Sequence, residues 1–364
     1  MRPFALLSSL RWYVVNMLRW SLASRTPKGE RPTVLFDLRR NPWHRYLHIL
    51  IIFFQQSGYR VLVRHRYRAI ACWGSSELFK LSPDFSLVFA SSDAKDTLVI
   101  TDGPSGHRKL HLTADYHDLP GETRDGFHVP MPLMYSQYLK ADQWHRAAEP
   151  LPKRERCVFF FGNMDPSAYD RVSELHTFGC YTRIHLIGLL KARFAQHVQF
   201  PTDLSLIGVE ADRYVVLMDR SRSHIPAPAL LATLRRFDFF LALSGVVMPL
   251  CHNVVEAMCA GCIPILQYPH LMDPPLEHGV NCLSYTNEEE LLAVLARVPY
   301  MSDAEVAALR KNVCDHYDRY LTPGKVVDRI VSEAARGGIL RLNAELESTR
   351  ILQERIAAKE DPAQ

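Results

Sequence analysis

Short apolar runs typical of β-strands alternate with segments of helical length along most of this chain. Thr33 to Asp37 is the first such run, Trp43 to Gln56 has the length of a helix, and Tyr59 to Val63 is the next apolar run. The alternation starts again at Cys157 and continues to Leu266. Strands that alternate with helices predict parallel sheets covered by helices on both faces, which is the α/β class.

The length of the chain predicts about two domains. It has 364 residues, and a domain usually takes roughly 100–200 residues. A polar stretch with two prolines at 147–154 is typical of a linker. We therefore predict an N-terminal helix over 1–25, one α/β domain over 26–150, a second over 151–335, and a charged helical tail over 336–364 that begins with Gly337 and Gly338.

Positive charge is concentrated at the front of the chain. The whole chain has a net charge of only +4, which by itself does not indicate a nucleic-acid-binding protein. Residues 1–68, however, contain 13 Lys and Arg against 2 acidic residues, a surplus of +11 that leaves −7 for the rest. Such a front predicts a partner that carries phosphate, and a merely solvated basic face is the alternative.

The first 25 residues form a moderately amphipathic helical pattern. Trp12 and Trp20 flank the polar side, while Arg11 and Arg19 interrupt any secretory signal. The apolar face consists of Leu6, Leu7, Leu10, Val14, Met17 and Leu18. This pattern fits either binding to an anionic membrane surface or packing on the protein itself. No run of the sequence is long and apolar enough to span a membrane, so we expect a cytoplasmic protein, peripheral at the inner membrane face if the helix binds lipid.

The cysteines do not indicate a metal site or a disulfide framework. Eight cysteines are spread over the chain, and Cys259 and Cys262 form a C-x-x-C pair without a second pair. We expect them to be reduced, buried thiols that pack in the interior.

The stretch from Asp238 to Leu266 is the most informative part of the sequence. An apolar strand ends at Ser244, and the chain then turns into a helix that carries His252 and Asn253 at its N-terminus. Ligands of parallel α/β sheets bind at the carboxyl ends of strands, and the free amides of a helix N-terminus favour phosphate. We therefore predict a pocket for a nucleotide diphosphate, with Glu256 one turn into the helix as an acceptor for ribose or sugar hydroxyls.

These residues resemble the donor-binding half of GT-B glycosyltransferases. The similarity runs through His252-Asn-Val-Val-Glu-Ala-Met-Cys-Ala-Gly-Cys-Ile-Pro-Ile265 and Glu277-His-Gly-Val-Asn-Cys-Leu283, and it extends to exostosin-like and capsule-type branches and to glycosyltransferase group 1 donor domains. Phe159-Phe-Phe-Gly-Asn163 is similar to the first strand of the family's donor domain. The resemblance implies two Rossmann-like domains that face a cleft.

The resemblance also has consequences for the chemistry. Retaining members with an E-x7-E pattern have a second glutamate where this chain has Met248, so that contact with the donor sugar is either absent or supplied by another residue, and the stereochemistry stays open. The metal-binding D-x-D triplet of GT-A enzymes occurs nowhere in the sequence. This absence favours the metal-free GT-B mechanism, in which amides and cations stabilise the departing diphosphate, so we expect no cofactor.

Further donor-site candidates lie around the first strand of the second domain. Gly162 and Asn163 end that strand, and Arg171 and Arg183 come before or at the start of the next helix. An arginine there can pair with phosphate through two hydrogen bonds, or it can form an ordinary surface salt bridge. Ser244 ends the neighbouring strand and completes the set.

The first domain would hold the acceptor. Asp37 and His44 follow its first strand, and either could serve as the base that takes the acceptor's hydroxyl proton. Competing candidates are His107, Asp115, His117 and His128. A structural role is the alternative for each of them.

The resemblance implies a glycosyltransferase that moves a sugar from a nucleotide-sugar to a glycan or lipid-linked acceptor in surface polysaccharide biosynthesis. A nucleotide-sugar epimerase of the same fold would use the same donor pocket. A non-catalytic scaffold that binds nucleotide or glycan is the alternative from another class, and Met248 is its sequence argument. We expect no nucleic-acid partner.

Overall fold

The computed structural model describes residues 11, 14–15, 18, 31–39, 44–66, 85–88, 97–104, 108–119, 121–131, 133, 144, 153–169, 177–207 and 212–360, with the backbone alone at residues 44 and 45. The chain forms two compact units. The first takes the described residues up to Val129 and again from Pro323, and the second runs from Pro130 to Thr322. These divisions differ from those predicted at 150/151 and 335/336, because the C-terminal segment returns to the first unit.

The helices and strands follow one another in the alternating order that the sequence predicts. The first unit begins with β1 (Thr33–Asp37), α1 (His44–Gln56), β2 (Arg60–Arg64), β3 (Ser86–Val88), β4 (Thr97–Thr101), β5 (Lys109–Thr113) and β6 (Phe127–Val129). The second contains β7 (Glu155–Gly162), α2 (Arg183–Arg193), β8 (Val198–Gln199), β9 (Val215–Asp219), α3 (Ala227–Leu234), β10 (Phe237–Leu241), α4 (His252–Cys259), β11 (Ile263–Leu266), β12 (Leu283–Ser284), α5 (Glu288–Arg297) and α6 (Asp303–His316). The chain then adds α7 (Pro323–Ala335), β13 (Ile339–Leu342) and α8 (Leu346–Glu360) to the first unit.

The first unit is built on a parallel sheet in the order β3-β2-β1-β4-β5-β13-β6. The middle of β1, from Val34 to Phe36, is buried, and so is α1 from Tyr46 to Phe54. Strands covered on both faces carry continuous apolar runs, which is why β1 was recognisable in the sequence.

The second unit is built on a parallel sheet in the order β12-β11-β10-β7-β9-β8. All five residues of β10 are buried. The rings of Phe159 on β7 and Phe237 on β10 stack with their centroids 4.5 Å apart. Two Rossmann-like parallel sheets confirm the predicted α/β class. Within the described ranges no helix combines the length and the apolar character needed to cross a bilayer.

The tail differs from the helix predicted over 336–364. Ile339–Leu342 is a strand that pairs in parallel with both β5 and β6, and the helix begins only at Leu346. Leu340 is 0% exposed. Its partners in register are Leu112 and Phe127, so Leu340 belongs to a buried strand and not to a helix.

Helix α8 is attached to the loop that follows β5. The Arg355 guanidinium donates to Asp115 at 3.0 Å and to the His117 carbonyl at 2.9 Å. The Ser348 hydroxyl donates to the Ala114 carbonyl at 2.7 Å. These contacts explain why the tail belongs to the first unit.

The spacings Thr286-x-x-Glu289 and Ser302-x-x-Glu305 each predict a capping box at the start of a helix, and the two predictions have different outcomes. Ser302 caps α6 as predicted, because its hydroxyl accepts from the Glu305 amide at 3.2 Å. For α5 the predicted box of Thr286 and Glu289 is wrong by one residue, since Asn287 is the N-cap and accepts from the Glu290 amide at 3.0 Å. Glu290 in turn accepts from the Thr286 amide at 2.7 Å. Asn caps at least as well as Thr, and this preference decides the register.

Replacing Leu340 by Ala tests the position of the tail strand. We expect a loss of about 2–5 kcal/mol in the free energy of unfolding of the first unit, because a buried Leu leaves a cavity. Leu346→Ala is the control, since Leu346 is 59% exposed and such a change usually costs less than about 0.5 kcal/mol. Urea unfolding followed by circular dichroism measures both variants. Equal losses in the two would show that Ile339–Leu342 is not a core strand.

Candidate functional site

The strand order of the second sheet reverses between β7 and β10. After β7 the chain fills one side of the sheet with β8 and β9, and after β10 it fills the other side with β11 and β12. In open parallel sheets a crevice forms at such a reversal, beyond the carboxyl ends of the two strands, and ligands bind there. Gly162 and Asn163 follow β7 at this place, and Leu243 and Ser244 follow β10.

Arg183 joins the ends of these two strands. It is the first residue of α2, which Thr182 caps by accepting from the His185 amide at 3.2 Å. The Arg183 guanidinium donates to the Asn163 carbonyl at 3.0 Å and to the Leu243 carbonyl at 3.5 Å. The residue is only 4% exposed. Arg183 therefore lies at the floor of the crevice and is not a surface ion pair.

The buried Arg183 charge has no acidic partner among the described residues. Its guanidinium carbon lies 5.2 Å from the centre of the Phe160 ring and 5.7 Å from that of Tyr169. No described carboxylate oxygen lies within 4.0 Å of its nitrogens. Burial of a charge without a counter-ion is unfavourable. The site is therefore suited to receive an anion.

Two positions beside these strand ends, Gly162 and Gly245, have no room for a side chain. A Cβ on Gly162 would lie 2.6 Å from the Phe160 ring and 3.1 Å from Arg183 Nη1. A Cβ on Gly245 would lie 2.7 Å from the Met248 carbonyl oxygen. The Gly245 amide donates to the Pro249 carbonyl at 3.2 Å. The tight loop between β10 and α4 therefore requires Gly245.

The N-terminus of α4 also has features of an anion-binding site. Its N-cap, Cys251, makes no side-chain capping bond, so the first-turn amides have no such partner. Asn253 is 6% exposed, and its side-chain oxygen has no hydrogen-bond partner among the described residues. A helix N-terminus with unused donors binds phosphate or carboxylate groups.

His252 and Glu256 form a pair on the first turn of α4. His252 Nδ1 lies 3.3 Å from a Glu256 carboxylate oxygen. The Glu256 side chain is 3% exposed, against 25% for His252. The structure thus places Glu256 behind His252, where its carboxylate orients the imidazole. Direct contact of Glu256 with ligand hydroxyls stays a prediction.

The structure brings four of the eight predicted donor-site residues together. Gly162, Asn163 and Arg183 contact one another, and Ser244, only 2% exposed, follows the carbonyl that Arg183 binds. Arg171 lies outside the described residues. Cys259 and Cys262 are buried and form no disulfide within the described residues, and no group of metal-binding side chains occurs in that part of the chain.

Two tyrosines of this region, Tyr169 and Tyr268, were not predicted from the sequence. Burial raises the pKa of Tyr169 to about 12, against the opposing effect of Arg183. Tyr268 is fully buried two residues after β11, and burial raises the pKa of its hydroxyl, which has no hydrogen-bond partner among the described residues. Both hydroxyls therefore stay protonated at neutral pH. The position of Tyr268 just beyond the end of β11 was an available signal, whereas Tyr169 is not next to a strand end.

Of the two predicted bases of the first domain, the structure describes the side chain of Asp37 only. Asp37 forms ion pairs with Arg64 at 3.3 Å and Arg66 at 2.8 Å, so its carboxylate is already bound by two cations. His44 begins α1, and its side chain lies outside the described residues.

The competing candidates belong mostly to the cluster that holds α8. Asp115 pairs with Arg124 and Arg355. Burial lowers the pKa of His117 to about 3, which makes it a weak base. His128 lies 3.6 Å from Asp118, and His107 is outside the described residues.

Comparison with known proteins gives structural matches only. No protein-family model matches the chain, and no curated protein matches its sequence. The solved structures that are similar include HepE from Anabaena in complex with UDP, with a TM-score of 0.42 and 13% identity over 82% of this chain and 98% of that chain. A glycosyltransferase from Rickettsia africae has a TM-score of 0.45 and 8% identity over 85% of this chain and 99% of its own. AviGT4, a glycosyltransferase involved in avilamycin A biosynthesis, has a TM-score of 0.40 and 13% identity over 84% and 97%.

Replacing Gly245 by Ala tests the loop that leads into α4. The added Cβ would meet the Met248 carbonyl, so we expect a loss of about 1–3 kcal/mol in stability. Gly188→Ala on α2 is the matched control, because a Cβ there meets nothing within 4 Å and Ala favours the helix by about 0.5–1 kcal/mol. Urea midpoints of the two variants should move in opposite directions. A Gly245→Ala protein as stable as the wild type would contradict the loop geometry.

Proposed function

We propose that this chain is a glycosyltransferase of the GT-B type that transfers a sugar from a nucleotide-sugar donor. The observation that carries the proposal is the buried Arg183 guanidinium, which lies at the strand reversal of the second sheet without a carboxylate partner among the described residues. The diphosphate of a nucleotide-sugar supplies the missing negative charge. The sequence resemblance from His252 to Leu283 supports the same assignment.

In this proposal the residues of the crevice have distinct tasks. The diphosphate lies against Arg183 and the first-turn amides of α4. His252 donates to a phosphate or sugar oxygen, and Glu256 keeps its ring in position. Asn253 and Ser244 offer further polar contacts. As the sugar leaves, negative charge grows on the diphosphate, and these fixed donors stabilise it.

We further propose that the reaction needs no metal ion and that the acceptor is a glycan or a lipid-linked sugar of a surface polysaccharide. The buried guanidinium and the helix amides provide the positive charge that a metal ion supplies in other transferases. The basic front of the chain supports an anionic or membrane-bound acceptor. Asp37 is held by two arginines, so between Asp37 and His44 we propose His44 as the base.

Arg183→Gln tests the donor site. We expect the catalytic efficiency with the donor to fall about 10- to 100-fold, because hydrogen bonds to charged groups contribute about 1.5–3 kcal/mol each. The donor is first found with a thermal-shift panel of UDP-, GDP-, CMP- and dTDP-sugars. Arg193→Gln is the control, since Arg193 lies at the other end of α2 and pairs with Glu289.

A second variant keeps this test valid if Arg183→Gln does not fold. His252→Ala removes a partly exposed side chain and should also lower turnover. His197→Ala is its control, because His197 lies just before the edge strand β8. Full activity in both site variants would mean that the donor binds elsewhere.

Product formation without acceptor would indicate an epimerase, and nucleotide binding without turnover would indicate a scaffold. Activity lost in EDTA and restored by a divalent cation would contradict metal independence.

Removing residues 1–28 tests the membrane proposal. Of this segment the structure describes Arg11, Val14, Val15 and Leu18, and the three apolar side chains are 47%, 56% and 61% exposed. We expect the full chain to float with vesicles that contain anionic lipid and the shortened chain to stay behind, because exposed apolar and basic side chains favour a membrane interface. Equal flotation of both proteins would remove this part of the proposal.

A further inference from the structure

The first sheet has a strand reversal of its own, with charged residues at its carboxyl edge. The chain fills one side of the sheet with β2 and β3 after β1, and the other side with β5 after β4. Asp37, the last residue of β1, pairs in register with Thr101 on β4. Phe36 pairs with Val63 on β2, so Arg64 lies directly beside Asp37. The reversal lies between β1 and β4, which is the place where such sheets bind ligands.

Two arginines share the single carboxylate of Asp37. Arg66 donates to the same Asp37 oxygen from Nε at 3.2 Å and from Nη2 at 2.8 Å. The Nε of Arg64 lies 3.3 Å from the other oxygen. The side chains of Arg64 and Arg66 are 18% and 34% exposed. Within the described residues, this arrangement leaves one positive charge without a carboxylate partner at the edge of the sheet.

Most N–H groups of the two guanidiniums form no hydrogen bond within the described residues. Arg66 spends two of its N–H groups on one carboxylate oxygen. Arg64 has the ion pair with Asp37 but no hydrogen bond of good geometry at Nε. Each guanidinium has five donors in a planar fork that fits phosphate oxygens. The fixed carboxylate holds both forks in place in advance of a ligand.

The other carboxylate of this edge is already occupied. Both oxygens of Asp102, which follows β4, accept from the Arg39 amide, at 2.8 and 2.9 Å. The Arg39 side chain is exposed. The three arginines 39, 64 and 66 thus exceed the two aspartates, and the whole segment 1–68 has a surplus of +11. The local excess of positive charge agrees with that of the segment.

We propose that Arg64 and Arg66 form a second anion site, which binds a phosphate group of the acceptor. The assignment of the phosphate to the acceptor rests on the proposed function, whereas the site itself rests on the contacts of the first sheet. A phosphate monoester or diester fits the two forks, and Asp37 positions them. The acceptor class is therefore a phosphate-bearing sugar or lipid.

Isothermal titration with inorganic pyrophosphate tests this site. The wild-type protein should bind two equivalents, one at each sheet. Arg66→Gln should weaken one of them about 10- to 100-fold, since it removes charge-assisted hydrogen bonds. Arg60→Gln is the matched control, because Arg60 is at the amino end of the same strand and carries the same charge. Arg66→Lys keeps the charge but loses the planar guanidinium, so its affinity for pyrophosphate should fall between that of the wild type and that of Arg66→Gln.

The outcomes separate this proposal from the proposed function. One equivalent in the wild type that survives Arg66→Gln would overturn the second site alone. One equivalent that disappears in Arg66→Gln would support the second site and contradict a diphosphate site at Arg183. An equal loss in Arg60→Gln would overturn the second site, because it would show a nonspecific charge effect. Thermal unfolding of each variant checks that the fold is intact.

Vesicle flotation identifies the source of the phosphate. Phosphatidylcholine vesicles with and without phosphatidic acid are mixed with the full chain and with its Arg66→Gln variant. Weaker flotation of the variant on phosphatidic acid shows that the site takes a lipid headgroup. Unchanged flotation, together with the loss of pyrophosphate binding, shows that it takes a soluble phosphate ester.

Discussion

The bridge that Arg183 makes between β7 and β10 is the interaction on which the candidate site depends. One guanidinium holds the carbonyls of Asn163 and Leu243, and so sets the distance between the ends of two central strands. It does so at 4% exposure and between aromatic rings, without a described carboxylate nearby. A folded protein tolerates such a charge where a ligand completes its environment. We therefore propose that this one side chain serves both the fold of the second unit and ligand binding.

The two sheets have different charged groups at their strand reversals. Each places polar groups beyond the strands where its order reverses, β1 and β4 in one unit and β7 and β10 in the other. In the second sheet the cation is buried and bound to carbonyls, which suits an anion that is held and then released. In the first sheet a carboxylate lies between two partly exposed arginines, which suits a weaker and more hydrated contact.

Much of the fold followed from the sequence, because buried parallel strands carry apolar runs. Thr33–Asp37 has the predicted bounds, and the apolar run predicted over Tyr59–Val63 is the strand Arg60–Arg64. The strand Ile339–Leu342 was missed, since its partners β5 and β6 lie more than 200 residues earlier and no local pattern records that pairing. The site residues Gly162, Asn163 and Ser244 were named from strand ends, and Arg183 was named from the start of the helix that follows. The pairing of Glu256 with His252, and that of Asp37 with two arginines, depended on side-chain contacts that spacing alone does not reveal.

The central claim is that a nucleoside diphosphate binds between Arg183 and the first turn of α4. Crystals of the protein grown with UDP, GDP, CDP or dTDP test it most directly. We expect at least one of these nucleotides to place its diphosphate oxygens within about 2.7–3.2 Å of the Arg183 guanidinium or the α4 amides, the usual range for such hydrogen bonds. A diphosphate bound away from both groups would contradict the claim.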